Sequence, residues 1–196
     1  TTLSSTDAQS LSSDDSMSIV GHTVTNIDEV TIYDGEGPDR WIAYLSATLQ
    51  TLDGGPETRF GSSAIREGTT ITLPTDDLVV KGTVQRVGRG LQLGTTRVLV
   101  HDTVDTETAA AIEDGDTDRV AGHTIATVES VTVYGTINPD RKVVYLGLNL
   151  TTLQDGGRST FGTETIREGV RIPFETPGYS FEGTVEHVGA IEQRGQ

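Results

Sequence analysis

The sequence contains no cysteine and only two lysines, Lys81 and Lys142, in 196 residues. Without cysteine the chain has no disulfide, thiolate nucleophile or cysteine-ligated metal, and a disulfide-stapled secreted scaffold is excluded. The sequence also lacks a run of about twenty apolar residues, the length that a membrane-spanning helix needs. Because it begins with Thr1 rather than methionine, we expect a mature or trimmed form, with membrane contact only through an anchor ahead of Thr1.

The charge is strongly one-sided, with 29 acidic residues, 14 basic residues and a net charge of -15. Such a surface makes binding to nucleic acid or to an anionic membrane unfavourable. Acidity combined with few lysines is typical of salt adaptation, because at molar salt the Debye length falls to about 3 Å and self-repulsion is screened. An ordinary acidic soluble protein is the alternative interpretation.

One nine-residue frame occurs twice, as FGSSAIREG from Phe60 and as FGTETIREG from Phe161. Shifting the chain by 101 residues aligns it with itself without a gap, and about 33 of the 95 aligned pairs are identical. This period is too long for a solenoid repeat but sufficient for a unit with its own core. The sequence therefore predicts two tandem homologous domains, residues 1–95 and 96–196. We interpret the repeated frame as fold, with Phe60 and Phe161 in the core and Gly68 and Gly169 in turns.

The repeated segments have the pattern of strands. Residues 41–52 and 142–153 are rich in β-branched and aromatic side chains with partial alternation, which is typical of strands buried on one face. The breaks between such segments carry Gly, Pro, Asp and Thr, as turns do. Five to seven short strands per copy favour a mainly β fold, either a small β-barrel or a curved sheet or sandwich.

One short helix is expected in each copy. In the second copy it covers residues 105–116, where Asp105 or Thr106 offers an N-cap and Gly115 a stop. The equivalent residues 4–15 of the first copy form a weaker version of this pattern.

The two copies differ at their beginnings. RVLVHDTV, residues 97–104, predicts a strand that leads into the second copy, whereas the matching segment of the first copy would precede Thr1. Three explanations are open: the chain is trimmed, the domain tolerates a shorter sheet, or the open edge accepts a strand from another molecule. Strands passed head to tail would be heterologous contacts that can grow a filament. The predicted assembly edge comprises Thr1, Thr2, Leu3, Arg97, Val98, Leu99 and Val100.

His22 and His123 occupy equivalent positions in the two copies and are the first candidates for acid–base chemistry. No nucleophile recurs at a fixed position beside them, so we interpret both as turn or strand residues. The sequence also contains no Gly-rich phosphate loop, no metal-spaced histidine pair and no serine–histidine–carboxylate constellation. We predict a protein that is not an enzyme and needs no cofactor.

Asp114, Asp116 and Asp118 alternate as in a calcium loop. The sixth position of that loop is Arg119 rather than glycine, and the twelfth is Ile125 rather than glutamate. We therefore interpret the three carboxylates as solvated surface and predict no metal site, with these residues as the only candidates.

In the second copy, the segments RVLV, IEDGD, GHTIATVESVTVY, VVYLGLNL, IREGVRI and ETPGYSFEGTVEHV follow one another. This order resembles a family of domains of unknown function found in haloarchaea and bacteria, typically after a single N-terminal membrane helix, and both copies resemble it. The resemblance implies a cell-envelope protein that faces outward in a salt-loving archaeon, and it carries over no functional residue. In that setting Asn149, which begins an NLT sequon on the expected outward face of a strand, is a candidate glycosylation site.

These observations predict a non-enzymatic structural or assembly protein, extracellular or at the cell surface, whose partners are copies of itself. Its sharper form is a pilus-like filament subunit joined by strand donation at the open edge of the first domain. The alternative is a membrane-anchored binding module of the cell envelope with an unknown ligand, and a hydrolase comes third.

Overall fold

A computed structural model describes residues 1–35, 40–51, 58–76 and 78–189 of the chain. The chain divides into two compact units, Thr1–Leu91 and Gln92–Gln196. The boundary lies at Leu91 rather than after residue 95, because the first strand of the second unit begins at Leu93 and is paired from that residue onward. Both units consist mainly of curved antiparallel sheet with one short helix each, which confirms the predicted fold class.

The first unit contains a small sheet and two separate hairpins. Strands β1, β4, β3 and β2 form a four-stranded antiparallel sheet in that order, while β5–β6 and β7–β8 are two-stranded. The elements are β1 (Thr2–Ser4), α1 (Ser5–Ser10), β2 (Ser16–Ile19), β3 (His22–Asp34), β4 (Arg40–Leu49), β5 (Arg59–Phe60), β6 (Ser63–Ala64), β7 (Thr70–Pro74) and β8 (Val79–Thr83).

The second unit joins the equivalent strands into one eight-stranded sheet. The order of the main path is β10, β11, β12, β9, β16 and β15, and the hairpin β13–β14 is attached to β12. The elements are β9 (Leu93–Asp105), α2 (Thr106–Ala111), β10 (Thr117–Val120), β11 (His123–Gly135), β12 (Arg141–Asp155), β13 (Arg158–Phe161), β14 (Glu164–Thr165), β15 (Arg171–Glu175) and β16 (Ser180–Val188). In the described residues each unit therefore has eight strands, some much longer than the short strands expected.

The core of the second unit lies on one face of this sheet. Leu146, Leu148 and Leu150 alternate along β12 and are each 0% exposed, because side chains two residues apart point to the same face of a strand. Val98 and Val100 of β9 are buried beside them, at 1% and 0% exposure. The prediction that residues 142–153 form a strand buried on one face is thus confirmed.

Long strands of both units are bent by bulges. The register between β3 and β4 shifts at Asp28, and the register between β11 and β12 shifts at the equivalent residue, Glu129. A third shift, at Glu186, interrupts the pairing of β16 with β9. Each bulge bends its strand and redirects the bulged side chain. At these three positions the side chain is a carboxylate, whereas the shifts between β2 and β3 and between β10 and β11 fall at Val24 and Ile125.

The helices have six residues each, fewer than the sequence predicts. Both end where an apolar residue, Leu11 or Ile112, turns to extended backbone and is buried at 3% and 6% exposure. The N-cap of α2 is Asp105, whose Oδ1 accepts a hydrogen bond from the Thr108 amide at 2.7 Å. Gly115 follows in a turn at φ +90° and does not cap the helix. Neither helix has the length or apolarity to cross a bilayer, among the residues described.

The repeated IREG frame forms equivalent turns. Gly68 and Gly169 have φ values of +81° and +84°, a region that favours glycine. Their amides donate to the carbonyls of Val84 and Val185, each at 2.8 Å. The predicted turn role of both glycines is confirmed. Of the two phenylalanines expected in the core, Phe161 is 6% exposed, whereas Phe60 is only half-buried.

Candidate functional site: an open edge in the first unit

The two units differ by one strand. β9 pairs with β12 from Asp105 to Leu93 and with β16 on its other side, so it lies inside the sheet of the second unit. In the first unit only β1 occupies this position, and it pairs with just Arg40, Trp41 and Ile42 of β4. The remainder of β4 has no strand on that side among the described residues, and the sheet is interrupted between β4 and β8.

Apolar side chains of β4 are more exposed than their counterparts in β12, which has β9 as a neighbour. Leu45 and Leu49 are half-buried, although their counterparts in the second unit are completely buried. Ala47 is also half-buried, and it stands where the second unit has the buried side chain of Leu148. At this position the first unit has a smaller apolar side chain. The first unit therefore has an incompletely covered apolar face where the second unit has a closed core.

The strand β8 is also shorter than its counterpart β16. β16 runs for nine residues, Ser180–Val188, but β8 ends after five, at Thr83. The segments have similar sequences, TVQRV after Gly82 and TVEHV after Gly183, so strand propensity does not account for the difference. The second half of β16 is held by β9, and β8 lacks that partner. β8 is therefore about half as long as β16, and Val87, beyond its end, is 49% exposed.

Thr1 spans the start of this gap. It exchanges backbone hydrogen bonds with Ala43 of β4, both at 2.9 Å, and its hydroxyl donates to the carbonyl of Lys81 in β8 at 2.8 Å. Among the described residues no further backbone hydrogen bond joins β4 to β8 beyond Thr1, although Gly90 passes close to β4, where an added Cβ would lie 3.0 Å from Ser46 Oγ. We call Leu45–Leu49 of β4 together with Val84–Val87 the open edge.

Glycines on β8 and β16 measure the space in the gap. A Cβ added to Gly183 would lie 2.6 Å from a ring carbon of Phe181, in the same strand, and 2.8 Å from Val100 of β9, whose side chain lies over this glycine. At the equivalent Gly82 the nearest atom is Thr1 Cβ, at an ordinary 3.6 Å. A strand in the gap would need Gly82, just as β9 needs Gly183.

The residues predicted as the assembly edge lie in two different strands, β1 of the first unit and β9 of the second. Thr2 and Leu3 are themselves paired with β4, opposite Ile42 and Trp41, so they border the open edge rather than form it. The other predicted residues lie in the middle of β9 and are paired on one side or both, so they form no edge: Arg97, Val98, Leu99 and Val100. They show instead what kind of strand the gap accepts.

The histidine candidates have positions in hairpins. His22 is the first residue of β3 and pairs with Ile19, and His123 is the first residue of β11 and pairs with Val120. Each follows a glycine with positive φ that closes the turn. Both positions agree with the interpretation as turn or strand residues.

The three aspartates do not converge on a common point. Asp116 Oδ2 accepts hydrogen bonds from the Tyr179 hydroxyl at 2.6 Å and from the Glu113 amide at 2.8 Å. Burial, followed by this hydrogen bond, raises the pKa of Tyr179 above its ordinary value. Asp114 is exposed. Within the described ranges no group of three metal-ligating side chains is placed to hold an ion.

The interpretation of this acidic run as solvated surface is wrong for Asp118. Its side chain is 3% exposed, and its Oδ2 accepts the backbone amide of Glu175 at 3.0 Å. Asp118 and Val120 point to the same buried face of β10, since they are two residues apart. That alternation is the signal in the sequence that could have identified it.

The second unit also carries an open groove of about 960 Å³ on the outer face of its sheet. Tyr134 and Tyr145 meet there edge to face at 5.7 Å, and Arg97 forms an ion pair with the bulge residue Glu129 at 3.1 Å. Glu186, the bulge residue of β16, also lines the groove. Asn149 lies on the same strand as Tyr145, half-buried, with Oδ1 enclosed and without a hydrogen-bond partner in the described part of the chain.

The apolar residues of the open edge, and Gly82, were not among the residues singled out from the sequence. The signal was available in the 101-residue shift: if residues 97–104 form a strand beside 142–153, then most of the equivalent strand beside 41–52 would precede Thr1. What the sequence does not disclose is which strand β9 pairs with, because register depends on contacts distant along the chain.

Comparison with protein-family models, with curated proteins and with solved structures finds no match to this chain.

Proposed function

We propose that the protein is a non-enzymatic assembly module of the outer cell envelope of a halophilic archaeon, in which the open edge receives a β-strand from another copy. The observation that carries this proposal is the gap between β4 and β8, at the position that β9 fills in the second unit. A strand there would pair with unpartnered backbone groups of β4 and cover Leu45, Ala47 and Leu49.

The strand that completes the second unit is β9, which begins at Leu93 just after the first unit ends at Leu91. A strand that another copy contributes to the first unit would join different surfaces of the two copies. This contact is heterologous, so repeating it produces an open filament.

Gly82→Ala provides a test with little effect on the isolated unit. The added methyl group has space when the gap is empty, but it would occupy the volume that the donor strand needs. Thr72→Ala on the exposed face of β7 is the matched control. In molar salt, sedimentation and electron microscopy should show concentration-dependent polymers for the native chain and for Thr72→Ala, and monomers for Gly82→Ala.

The fold of each variant is checked by circular dichroism and by the fluorescence of Trp41, the only tryptophan. A native chain that stays monomeric at high concentration in molar salt would falsify the proposal. Polymers of undiminished length from Gly82→Ala would contradict it as well, because they would form by some other contact.

A second candidate function is a binding module of the cell envelope, favoured by the groove of the second unit. Its tyrosine pair offers apolar contact area with hydroxyl groups, and its carboxylates offer acceptors. If this function is correct, Tyr134→Ser should abolish binding of a ligand by the native chain while leaving polymer formation unchanged. Equal ligand binding by Tyr134→Ser would exclude this groove as the binding site.

A further inference from the structure

We infer that the groove of the second unit binds an uncharged oligosaccharide, held between the exposed ring of Tyr134 and the carboxylate of Glu186. This inference rests on the second candidate function, the binding module, and specifies the chemistry of its ligand. It is independent of strand addition at the open edge, because every described residue that lines the groove belongs to the second unit.

The tyrosine pair of the groove has a buried counterpart in the first unit. Tyr33 and Tyr44 meet edge to face at 6.0 Å, and Tyr134 and Tyr145 do so at 5.7 Å. Tyr33 is 1% exposed, whereas Tyr134 is 56% exposed. An aromatic ring that stays in water gives up the free energy that burial supplies. The second unit therefore presents to solvent a surface that the first unit buries, as expected of a surface that contacts a ligand.

A glycine forms the floor of the groove. Gly147 of β12 stands where the first unit has Ser46, and it lies between Ser130 of β11 and Leu99 of β9 in the sheet. A Cβ added to Gly147 would lie 2.5 Å from Ser130 Oγ, so a side chain here would displace that hydroxyl group. The groove of about 960 Å³ is at the upper end of the range for small-molecule sites, which suits several linked sugar rings better than a single ring.

Two β-bulges direct carboxylates into the groove from the strands that flank β12 and β9. Glu129 is the bulge residue of β11 and Glu186 is that of β16, and both line the groove. Bulges often redirect side chains beside binding sites. Arg97 neutralises Glu129, with Nη2 3.1 Å from Oε1. In contrast, Glu186 Oε2 is 3.7 Å from His101 Nδ1, which is too far for a hydrogen bond. The Glu186 carboxylate therefore keeps acceptor positions for a ligand.

The other polar side chains of the groove are hydroxyl groups that make no hydrogen bond within the described part of the chain. They belong to Ser130, Thr132, Tyr134 and Tyr145. Hydroxyl groups both donate and accept, as those of a sugar do. A sugar ring also has an apolar face of C–H groups, which can pack on the exposed ring of Tyr134. An oligosaccharide therefore matches both the hydroxyl groups and the aromatic surface of the groove.

The charges of the groove favour an uncharged sugar over an acidic one. Arg97 is paired with Glu129, so Glu186 leaves the groove with a net negative charge. A carboxylate or sulfate group beside Glu186 would be repelled, whereas a neutral hydroxyl group can donate a charge-assisted hydrogen bond to it. The groove should therefore discriminate against acidic glycans.

The test uses saturation-transfer difference NMR on the full-length chain in molar salt, with maltohexaose, cellohexaose and mannohexaose as neutral probes and hexagalacturonate as the acidic probe. At least one neutral probe should bind, and hexagalacturonate should bind more weakly. Tyr134→Ser should abolish binding, and Gly147→Ala should weaken it because the added methyl group occupies the floor. Glu186→Gln should weaken it about fivefold, because a charge-assisted hydrogen bond becomes a neutral one, and should reduce the discrimination against hexagalacturonate.

Two variants are matched controls that should bind as the native chain does. Glu164→Gln removes the same charge from an exposed position in β14, and Gly135→Ala adds the same methyl group where nothing lies within 4 Å. Circular dichroism confirms that each variant is folded.

The outcomes separate the ligand class from the binding function. Binding by none of the neutral probes would overturn the inference, as would tighter binding of hexagalacturonate. If the acidic probe alone binds and Tyr134→Ser abolishes its binding, the ligand class is wrong but the groove remains a binding site. If a probe binds Tyr134→Ser as well as it binds the native chain, the groove is not the site, and the second candidate function fails with the inference.

Discussion

The same substitution at two equivalent leucines should have different costs, because only one of them is covered by a strand. Leu146 of β12 is 0% exposed and lies opposite Val100 of the neighbouring strand β9, whereas Leu45 of β4 is half-buried at the open edge. Leucine to alanine in a closed core costs about 2–5 kcal/mol, because the transfer free energy is lost and a cavity remains. We therefore expect Leu146→Ala to reduce the stability of the second unit by this amount.

For Leu45→Ala we expect a smaller cost of about 1–2 kcal/mol. Up to about a third of the transfer free energy of the side chain is already lost to exposure, and solvent reaches the space that the substitution opens, so little cavity term is added. The two variants share chemistry, strand position and fold, and they differ in the presence of the covering strand.

Urea unfolding in molar salt measures both values, since urea leaves the ionic strength unchanged. Trp41 lies in β4 and reports the first unit, and far-ultraviolet circular dichroism reports both. Stability changes are compared only where the slope with urea stays that of the native chain. Equal costs for the two variants would refute the reasoning, because Leu45 would then be as well covered as Leu146.

Three further substitutions probe contacts of the second unit. Gly183→Ala should reduce the stability of the second unit by about 1–3 kcal/mol through overpacking against β9, measured from the urea midpoint. Gly82→Ala should shift the Trp41 transition little, because the gap between β4 and β8 is empty. An equally large shift for Gly82→Ala would mean that this gap is filled. Asp118→Ala should reduce stability by about 1 kcal/mol because it removes the partly buried hydrogen bond to the Glu175 amide, and an unchanged midpoint would contradict a contribution from this bond. Hydrogen bonds from Thr108 lower the pKa of Asp105, so its contribution is present above the ordinary carboxyl pKa and is lost as pH falls through the folded value. The thermal midpoint of Asp105→Ala should therefore lie below that of the native chain at neutral pH and converge with it in acid, and a difference independent of pH would contradict this.

Local sequence patterns predicted much of each unit by itself. The internal repeat, the β class, the Asp105 cap and the IREG glycine turns each depend on short stretches of chain. The lengths of β8 and β16 could not be predicted in this way. Their sequences are nearly equivalent, and what separates them is whether a strand from elsewhere in the chain lies alongside, so tertiary context decides over propensity.

The open edge was predicted in outline but not in its residues. The missing strand follows from the repeat, but the residues that it would cover depend on the register between β9 and β12. The positions of Asp28 and Glu129 were not predicted, because both residues lie in β-bulges. A single sequence does not show where a bulge occurs. Asp118 was misjudged because composition outweighed the alternation of its strand.

The direction in which β9 and β16 run has a mechanical consequence. Chain enters the second unit at Leu93 and the described chain leaves it at Gly189, whose amide donates to the carbonyl of Arg97 at 2.8 Å. These strands are antiparallel, so both ends emerge on the same side of their ladder. Tension along the chain peels the two strands apart from that side, loading one hydrogen bond after another instead of shearing all of them together. Under load, β9 and β16 therefore separate one hydrogen bond at a time, at a force set by single hydrogen bonds.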